Sequence, residues 1–287
     1  ERAPEPDEGA AKTSTASGVT LADCEALGMR AADASCYELF HSAFEPLIVD
    51  AHPLYTSDAA HPVDQDLSQV ATSTADSSRW ISATAVASRL FQGYRAPAFA
   101  SAEELSEIDA MARDSLSRLE GVPGTYLSPD TAAEYLPPAL AAHTPAGFSG
   151  AGRGVFLAED SSLAAFVNGE DHIKVVVTAA RPEDAMNRAL DTLRGVQECF
   201  SFQFHEALGF VTSNPAGLGT AMDVSMEVAV PSELPEDLAD LLLEKYGVSI
   251  VPAGVGAVTI ASEYRVGVTE VQALVAIVSA AMELEVL

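Results

Sequence analysis

The sequence predicts an α+β fold: a small helical N-terminal part, then a larger domain whose mostly antiparallel sheet is flanked by helices. Apolar residues recur at helical intervals over residues 21–49. Short β-like runs at Gly154–Leu157, Leu163–Val167 and Ile173–Thr178 are joined through turns. Over Asp223–Val230, Val224, Met226, Val228 and Val230 alternate with Asp223, Ser225 and Glu227, the period of a sheet with one buried face.

Residues 1–20 are rich in Pro, Glu, Ala, Ser and Thr and read as an extended tail, acidic and suited to lying along a partner. Leu21, Cys24 and Leu27, then Tyr37, Leu39, Phe40, Phe44, Leu47 and Ile48, predict the helical part over 21–60. Polar residues with Pro53 and Pro62 follow, and 61–79 reads as a linker. From Trp80 to residue 287 the pattern is that of the larger domain. Ser101 and Glu104 form a capping box that opens a helix, with Leu105, Ile108, Met111, Leu116 and Leu119 inward and Gly121 as its stop. Residues 129–150 are Pro- and Ala-rich with little period. Pro182 starts a helix through Met186, Leu190, Leu193 and Val196. Leu208–Ser213 and Asp223–Val230 predict a strand pair, Leu234–Tyr246 a helix ending at Gly247, and residues 255–261 a strand. Thr269 and Gln272 cap a last amphipathic helix.

Composition narrows the function. The chain has 287 residues and a formal net charge of −27. Such a surface repels nucleic acid, anionic lipid and, without a local basic pocket, free nucleotides. Cys24, Cys36 and Cys199 are too sparse for a disulfide scaffold, and Cys199 reads as buried at a helix end. The histidines are scattered and no HExxH or CxxC occurs, so neither a metal site nor another cofactor is expected. No apolar run reaches membrane-spanning length. The start at Glu1 without methionine fits a processed chain.

Six segments together carry a resemblance. Phe166-Val-Asn-Gly-Glu-Asp-His-Ile-Lys174 is similar to W-V-N-E-E-D-H-L-R. Leu208-Gly-Phe-Val-Thr-Ser-Asn-Pro-Ala-Gly-Leu-Gly-Thr220 is similar to L-G-F-L-T-x-C-P-T-N-L-G-T. Ala151–Phe156 resembles G-R-G-I-F, Arg265–Glu270 resembles R-M-G-L-T-E, and Phe91–Tyr94 matches part of S-M-Q-G-Y. Tyr37–Asp50 resembles Y-x-L-F-x-x-L-F-D-P-I-I-x-D. In this order, from about residue 33 to the end, they resemble the phosphagen (guanidino) kinases, the arginine and creatine kinases. The resemblance implies that family's fold, with the N-terminal domain shortened.

The resemblance also implies a site: arginines on nucleotide phosphates, a carboxylate that orients the guanidine, and a cysteine beside the substrate. Here the S-T-R-V-R arginines become Thr84 and Val86, and the arginine that ends N-E-E-D-H-L-R becomes Lys174. The arginine of L-G-T-x-x-R becomes Asp223, and that of the R-G-T loop falls at Tyr246. The cysteine becomes Asn214; of the two glutamates the first is Gly169 and the second stays as Glu170. Phosphoryl transfer depends on charge and alignment around the transferred group, so these changes predict loss of nucleotide binding and of the kinase reaction. His172 reads as a hydrogen-bonded structural residue.

The expected function is therefore a pseudoenzyme, a structural or accessory subunit among the other proteins of a hetero-oligomeric complex. A mitochondrial energy-transducing complex is the expected setting, with cytosolic or ciliary assemblies as alternatives. Two other functions stay open: a divergent kinase holding phosphates through Lys174, Arg89, Arg153 and a metal, and a module that binds guanidino compounds through Glu170.

Overall fold

Strand β1 (Trp80–Arg89) has two unlike faces: Ala83, Ala85 and Ala87 on one, Thr84, Val86 and Ser88 on the other. A computed structural model describes residues 13–70, 78–230, 234–235 and 237–286. In it β1 is joined by β2 (Gly124–Leu127), β3 (Gly154–Ala158), β4 (Leu163–Val167), β5 (Ile173–Ala179), β8 (Met222–Ala229), β9 (Val248–Pro252) and β10 (Ala257–Ser262). They form an eight-stranded sheet of order β2-β3-β4-β5-β1-β8-β10-β9. Every neighbouring pair is antiparallel, as expected. β6 (Phe204–His205) and β7 (Gly209–Phe210) make a separate hairpin.

The alanine face of β1 is small, and that lets a helix approach closely. Helix α7 (Pro182–Gln197) packs there with Ala185, Met186, Ala189, Leu193 and Val196 buried. The same core takes Ile108, Ala112 and Leu116 of α4 (Ala102–Leu116) and Leu274, Ile277 and Ala281 of α9 (Glu270–Val286). Each large apolar side chain enclosed this way contributes roughly 1.5–3 kcal/mol. Both expected capping boxes form. Glu104 N–H donates to Ser101 Oγ while Ser101 N–H donates back to Glu104. Thr269 and Gln272 exchange the equivalent pair.

The helical reading of 21–49 resolves into α1 (Leu21–Ala26), α2 (Ala34–Leu39) and α3 (His41–Ala51). The chain breaks after α1 because Gly28 and Met29 take positive φ, and Asp33 caps α2 through Ser35 N–H. Cys24, Cys36, Tyr37, Phe44 and Ile48 share a second core with Leu208, Val211, Leu218 and Val266 of the larger domain. Within the expected tail, residues 1–12 lie outside the described residues; 13–20 turn at Gly18, with Ser14 bridged to Thr20 and Val19 buried. Of the expected linker, 71–77 lie outside the described residues, and Leu67 is buried in the main core.

Several expectations are corrected. Leu208–Ser213 and Asp223–Val230 do not pair: β7 pairs with β6, and β8 lies between β1 and β10. The strand expected over Leu208–Ser213 is only Gly209–Phe210, and the residues after it lead into the Pro215–Gly217 turn capped by Asn214. Residues 129–150 hold two short helices, α5 (Pro129–Tyr135) and α6 (Pro138–Ala141), each with proline in its first turn. Cys199 is exposed, because it lies beyond the end of α7 where the chain turns off the core.

Gly219 lies where the 208–210 and 265–266 segments meet. Its N–H donates to Leu208 O, its O accepts from Phe210 N–H, and Thr220 N–H donates to Arg265 O. It has φ +98°, and a Cβ there would stand 2.2 Å from Arg265 O. Gly219→Ala should therefore lower stability by more than about 1 kcal/mol in denaturant titration; an unchanged midpoint would show that the 208–220 and 265–266 segments are not held this closely.

Candidate functional site

The polar face of β1 looks away from α7 and forms the floor of a cavity of about 1010 Å³. Register decides what joins it. Lys174 of β5 lies opposite Ser88, while Asp223 and Ser225 of β8 lie opposite Val86 and Thr84. Directly paired residues share a face, so all of them line the cavity. The rim comes from the loop carrying Leu27 and Arg30, the 143–146 and 169–171 segments, the 212–217 turn and the chain after β10.

The described cations of this cavity are all engaged. Arg265 donates through Nε and Nη2 to Asp223 Oδ1. Arg30 Nη1 is 2.9 Å from Glu170 Oε1. Lys174 Nζ donates to His143 O at 3.0 Å, and Arg153 donates to the carbonyls of Asn168 and Ser149 at 2.9 and 3.3 Å. Burial holds the Lys174 ammonium below the usual lysine range, against the pull of Glu170, Asp171 and Asp223. Four cations thus face four carboxylates: Glu170, Asp171, Asp223 and Glu263.

Thr84, Val86, Lys174, Asp223, Glu170 and Asn214, expected from separate motifs, come together on this cavity. Tyr246 does not. It ends helix α8 (Leu238–Tyr246), within the helix expected over Leu234–Tyr246, and its hydroxyl donates to Glu283 of α9 at 2.7 Å, away from the cavity. Asn214 is engaged locally: its Oδ1 accepts from Ala216 N–H and caps a short turn at Pro215–Gly217. At Gly169 a Cβ would stand 2.6 Å from Pro145 Cγ, so the 143–146 segment, clamped by Lys174, rests where a side chain would begin.

Arg89 is the main correction. It was expected as a possible phosphate ligand, yet it is 1% exposed and faces the interior. Its Nη1 donates to Ser88, Thr220 and Ala221 carbonyls at 2.7, 3.1 and 3.2 Å, and its guanidinium stacks 3.7 Å from the Phe210 centroid. Burial lowers its pKa to about 10, with Glu270 and Asp171 opposing that fall. It braces the 220–221 bend below the cavity. His172 is structural: one ring nitrogen accepts from Phe91 N–H at 2.8 Å and the other bonds Arg95 O at 2.8 Å.

Sequence reasoning did not single out Asp171 or Arg30, and it passed over the pairing of Arg265. Asp171 lies inside a matched motif and Arg265 opens another, so both carried a signal. Arg30 carried none, because it precedes every matched segment.

Asp171 is 6% exposed, and its Oδ1 accepts from Ser213 N–H at 2.7 Å. Burial pushes its pKa up to about 7, with the Ser213 hydrogen bond resisting. The unfolded carboxyl titrates near 4. The folded state therefore holds a proton that the unfolded state has lost, and stability falls as pH rises from about 4 through 7. His61 and His172, each lowered to about 4 by burial, work in the opposite sense and destabilise the fold as pH drops below about 6.5. Asp171→Asn should thus steepen the gain in melting temperature between pH about 4.5 and 6.5 and raise it at pH about 8. Coincident profiles would mean that Asp171 is ionised throughout.

Comparisons with known proteins agree with this geometry. Residues 103–285 match the profile of the ATP:guanido phosphotransferase C-terminal catalytic domain. Arginine kinase of Carcinus maenas is 25% identical over 285 residues, covering 90% of this chain and 80% of that protein. The flagellar creatine kinase of Strongylocentrotus purpuratus is 26% identical over 86% of this chain, which spans only 24% of that protein's length. Lombricine kinase superposes with a TM-score of 0.80 at 18% identity, over 96% of this chain and 86% of that one. The substrate-free duplicated taurocyamine kinase of Schistosoma mansoni gives 0.79 at 23%, over 95% of this chain and 44% of that one. At these identities the two structures speak for the fold alone. The profile match spans well over half of the chain, and the chain belongs to the ATP:guanido phosphotransferase, or phosphagen kinase, family.

Proposed function

We propose that this chain is a non-catalytic member of the family, a pseudoenzyme that serves as a structural or accessory subunit of a larger protein assembly. One observation carries the reading: the Asp223 carboxylate stands on the cavity floor, held by Arg265, at a position that resemblance gives to a phosphate-binding arginine. A nucleotide phosphate brought into contact with that carboxylate meets repulsion of about 4 kcal/mol at an effective dielectric near 20. Micromolar affinity is about 8 kcal/mol in all. The surrounding cations do not stand ready to offset this. Arg30 and Arg265 are bound to carboxylates, and Lys174 and Arg153 to carbonyls. An incoming phosphate must break those bonds first.

A net charge of −27 leaves the outer surface suited to a basic protein partner and opposed to nucleic acid. A mitochondrial energy-transducing complex is the proposed setting. A ciliary or cytosolic assembly is the alternative, and one relative bears the name of a flagellar enzyme.

Calorimetric titration with MgADP and MgATP at low salt tests the proposal, because residual phosphate attraction is strongest there. No saturable heat up to millimolar nucleotide is expected, and no phosphoryl transfer to arginine or creatine. Micromolar binding would sink the proposal and point to phosphate ligands other than the family's arginine positions.

A further inference from the structure

Two cysteines meet in the core that joins the helical part to the larger domain. Cys24 of α1 and Cys36 of α2 are free thiols, both fully buried in that core. They are in hydrogen-bond contact, with the Cys24 S–H donating to the Cys36 sulfur. The segment between them is what brings them together. It turns back at Gly28 and Met29, with φ of +72° and +59°. Met29 and Arg30 N–H donate to Cys24 O at 2.8 and 3.3 Å, which ties the turn to the first cysteine. Ala31 N–H then donates to Ser213 O at 2.8 Å and Ala32 O accepts from Ala96 N–H at 2.7 Å, which anchors the approach to the second.

The two sulfurs are not equivalent. Cys36 receives the Cys24 S–H and also the backbone N–H groups of Asp33 and Ala32. These donors hold its thiol below the usual cysteine range, against burial and the Asp33 carboxylate. The bond that Cys24 donates, and then burial, hold the Cys24 thiol above that range. Successive backbone amides aimed at one atom favour its anionic form. The thiolate is the nucleophile, so Cys36 is the sulfur that attacks and Cys24 is the neighbour that resolves. Their cover is thin. Helix α1 has six residues, and Ala22, Asp23, Glu25, Ala26 and Leu27 around Cys24 are exposed. An element with so little buried surface opens locally at low cost, and that admits a molecule as small as hydrogen peroxide.

We propose that Cys24 and Cys36 form a reversible oxidation site, at which a hydroperoxide converts the two thiols into a disulfide that closes the 25–35 segment into a loop. The Cys36 thiolate attacks one oxygen of hydrogen peroxide. The O–O bond breaks, and the departing hydroxide takes up the proton that Cys36 gave up and leaves as water. Cys36 is then a sulfenic acid. The Cys24 sulfur, giving up its own proton, attacks the Cys36 sulfur; the S–S bond forms, the S–O bond breaks and a second water leaves. The thiols lose two electrons and the peroxide gains them, and a dithiol reverses the change by exchange. The closed loop carries Leu27 and Arg30 to the rim of the main cavity, so the bond clamps that side of the rim. The inference is independent of the proposed loss of catalysis, because neither cysteine lines the cavity.

The test treats the chain carrying Cys199→Ser, which removes the exposed thiol, with a small excess of hydrogen peroxide. Non-reducing peptide mapping should find Cys24 linked to Cys36 within one chain, with the intact mass lower by two hydrogens, and dithiothreitol should restore both thiols. Amide hydrogen exchange over residues 25–35 should slow in the oxidised chain. With Cys24→Ser added, oxidation should stop at a Cys36 sulfenic acid that dimedone traps. With Cys36→Ser added instead, Cys24 should react roughly tenfold or more slowly than Cys36 does. No linked peptide, linkage only after denaturant has unfolded the chain, or linkage only between two copies would overturn the site. Faster reaction of Cys24 than of Cys36 would overturn the assigned roles, and unchanged exchange over 25–35 would overturn the clamp. If either serine variant fails to fold, the peptide map of the intact pair decides by itself.

Discussion

The register of β1 against its two neighbours is the constraint on which the rest depends. Because side chains alternate along a strand, a slip of one residue would exchange the two faces of β1. Ala83, Ala85 and Ala87 would then meet the cavity, and Thr84, Val86 and Ser88 would be driven under α7. The small residues of that face admit α7 with its own alanines at close range, and the packing fixes the register. Once it is fixed, Lys174 and Asp223 have no choice of side. Each sits across from β1 on the polar face, within one cavity. The helical core and the chemistry of the cavity are two consequences of the same pairing.

The second theme is charge held locally. The chain as a whole is strongly acidic, yet four cations and four carboxylates face each other in the cavity. A carboxylate on a sheet face beside Glu170 and Asp171 would raise the electrostatic cost of all three, unless a cation accompanied it. Arg265 accompanies Asp223 and Arg30 accompanies Glu170. Asp171, among the described residues, accepts Ser213 N–H on one oxygen without a direct ion pair, and it is the one whose pKa rises to about 7. The contrast follows from burial: the paired carboxylates are about half exposed, whereas Asp171 is enclosed.

Much of this architecture could be read from the sequence, for identifiable reasons. Strands β3, β4, β5 and β8 were clear because alternation or a β-branched run marks them, and both capping boxes formed because their geometry is local. β1 was missed because Ala83, Ala85 and Ala87 are weak strand formers; its place between β5 and β8 is decided by tertiary packing. The 208–213 segment read as a strand since its apolar residues serve a core between domains, not a ladder. Motif matching brought Thr84, Val86, Lys174, Asp223, Glu170 and Asn214 to one cavity although they are spread over much of the chain. It did not bring Tyr246 to the cavity, since that residue bonds Glu283 of α9, nor Arg89, whose burial no motif reports.

Asp223 and Arg265 also show why the cavity is better understood as rebuilt than as merely worn away. A lost arginine leaves a gap that water fills. An aspartate in that place creates a demand for a cation, and Arg265 meets it from the segment that Thr220 N–H and Gly219 already hold. Likewise, a glutamate missing at 169 leaves space that Pro145 occupies, with Lys174 fastening the same segment through His143 O. Asp223 and the backbone at Gly169 each have a neighbour that fits them. The Asp223 carboxylate and the 143–146 segment are thus each held by a cation of the cavity itself.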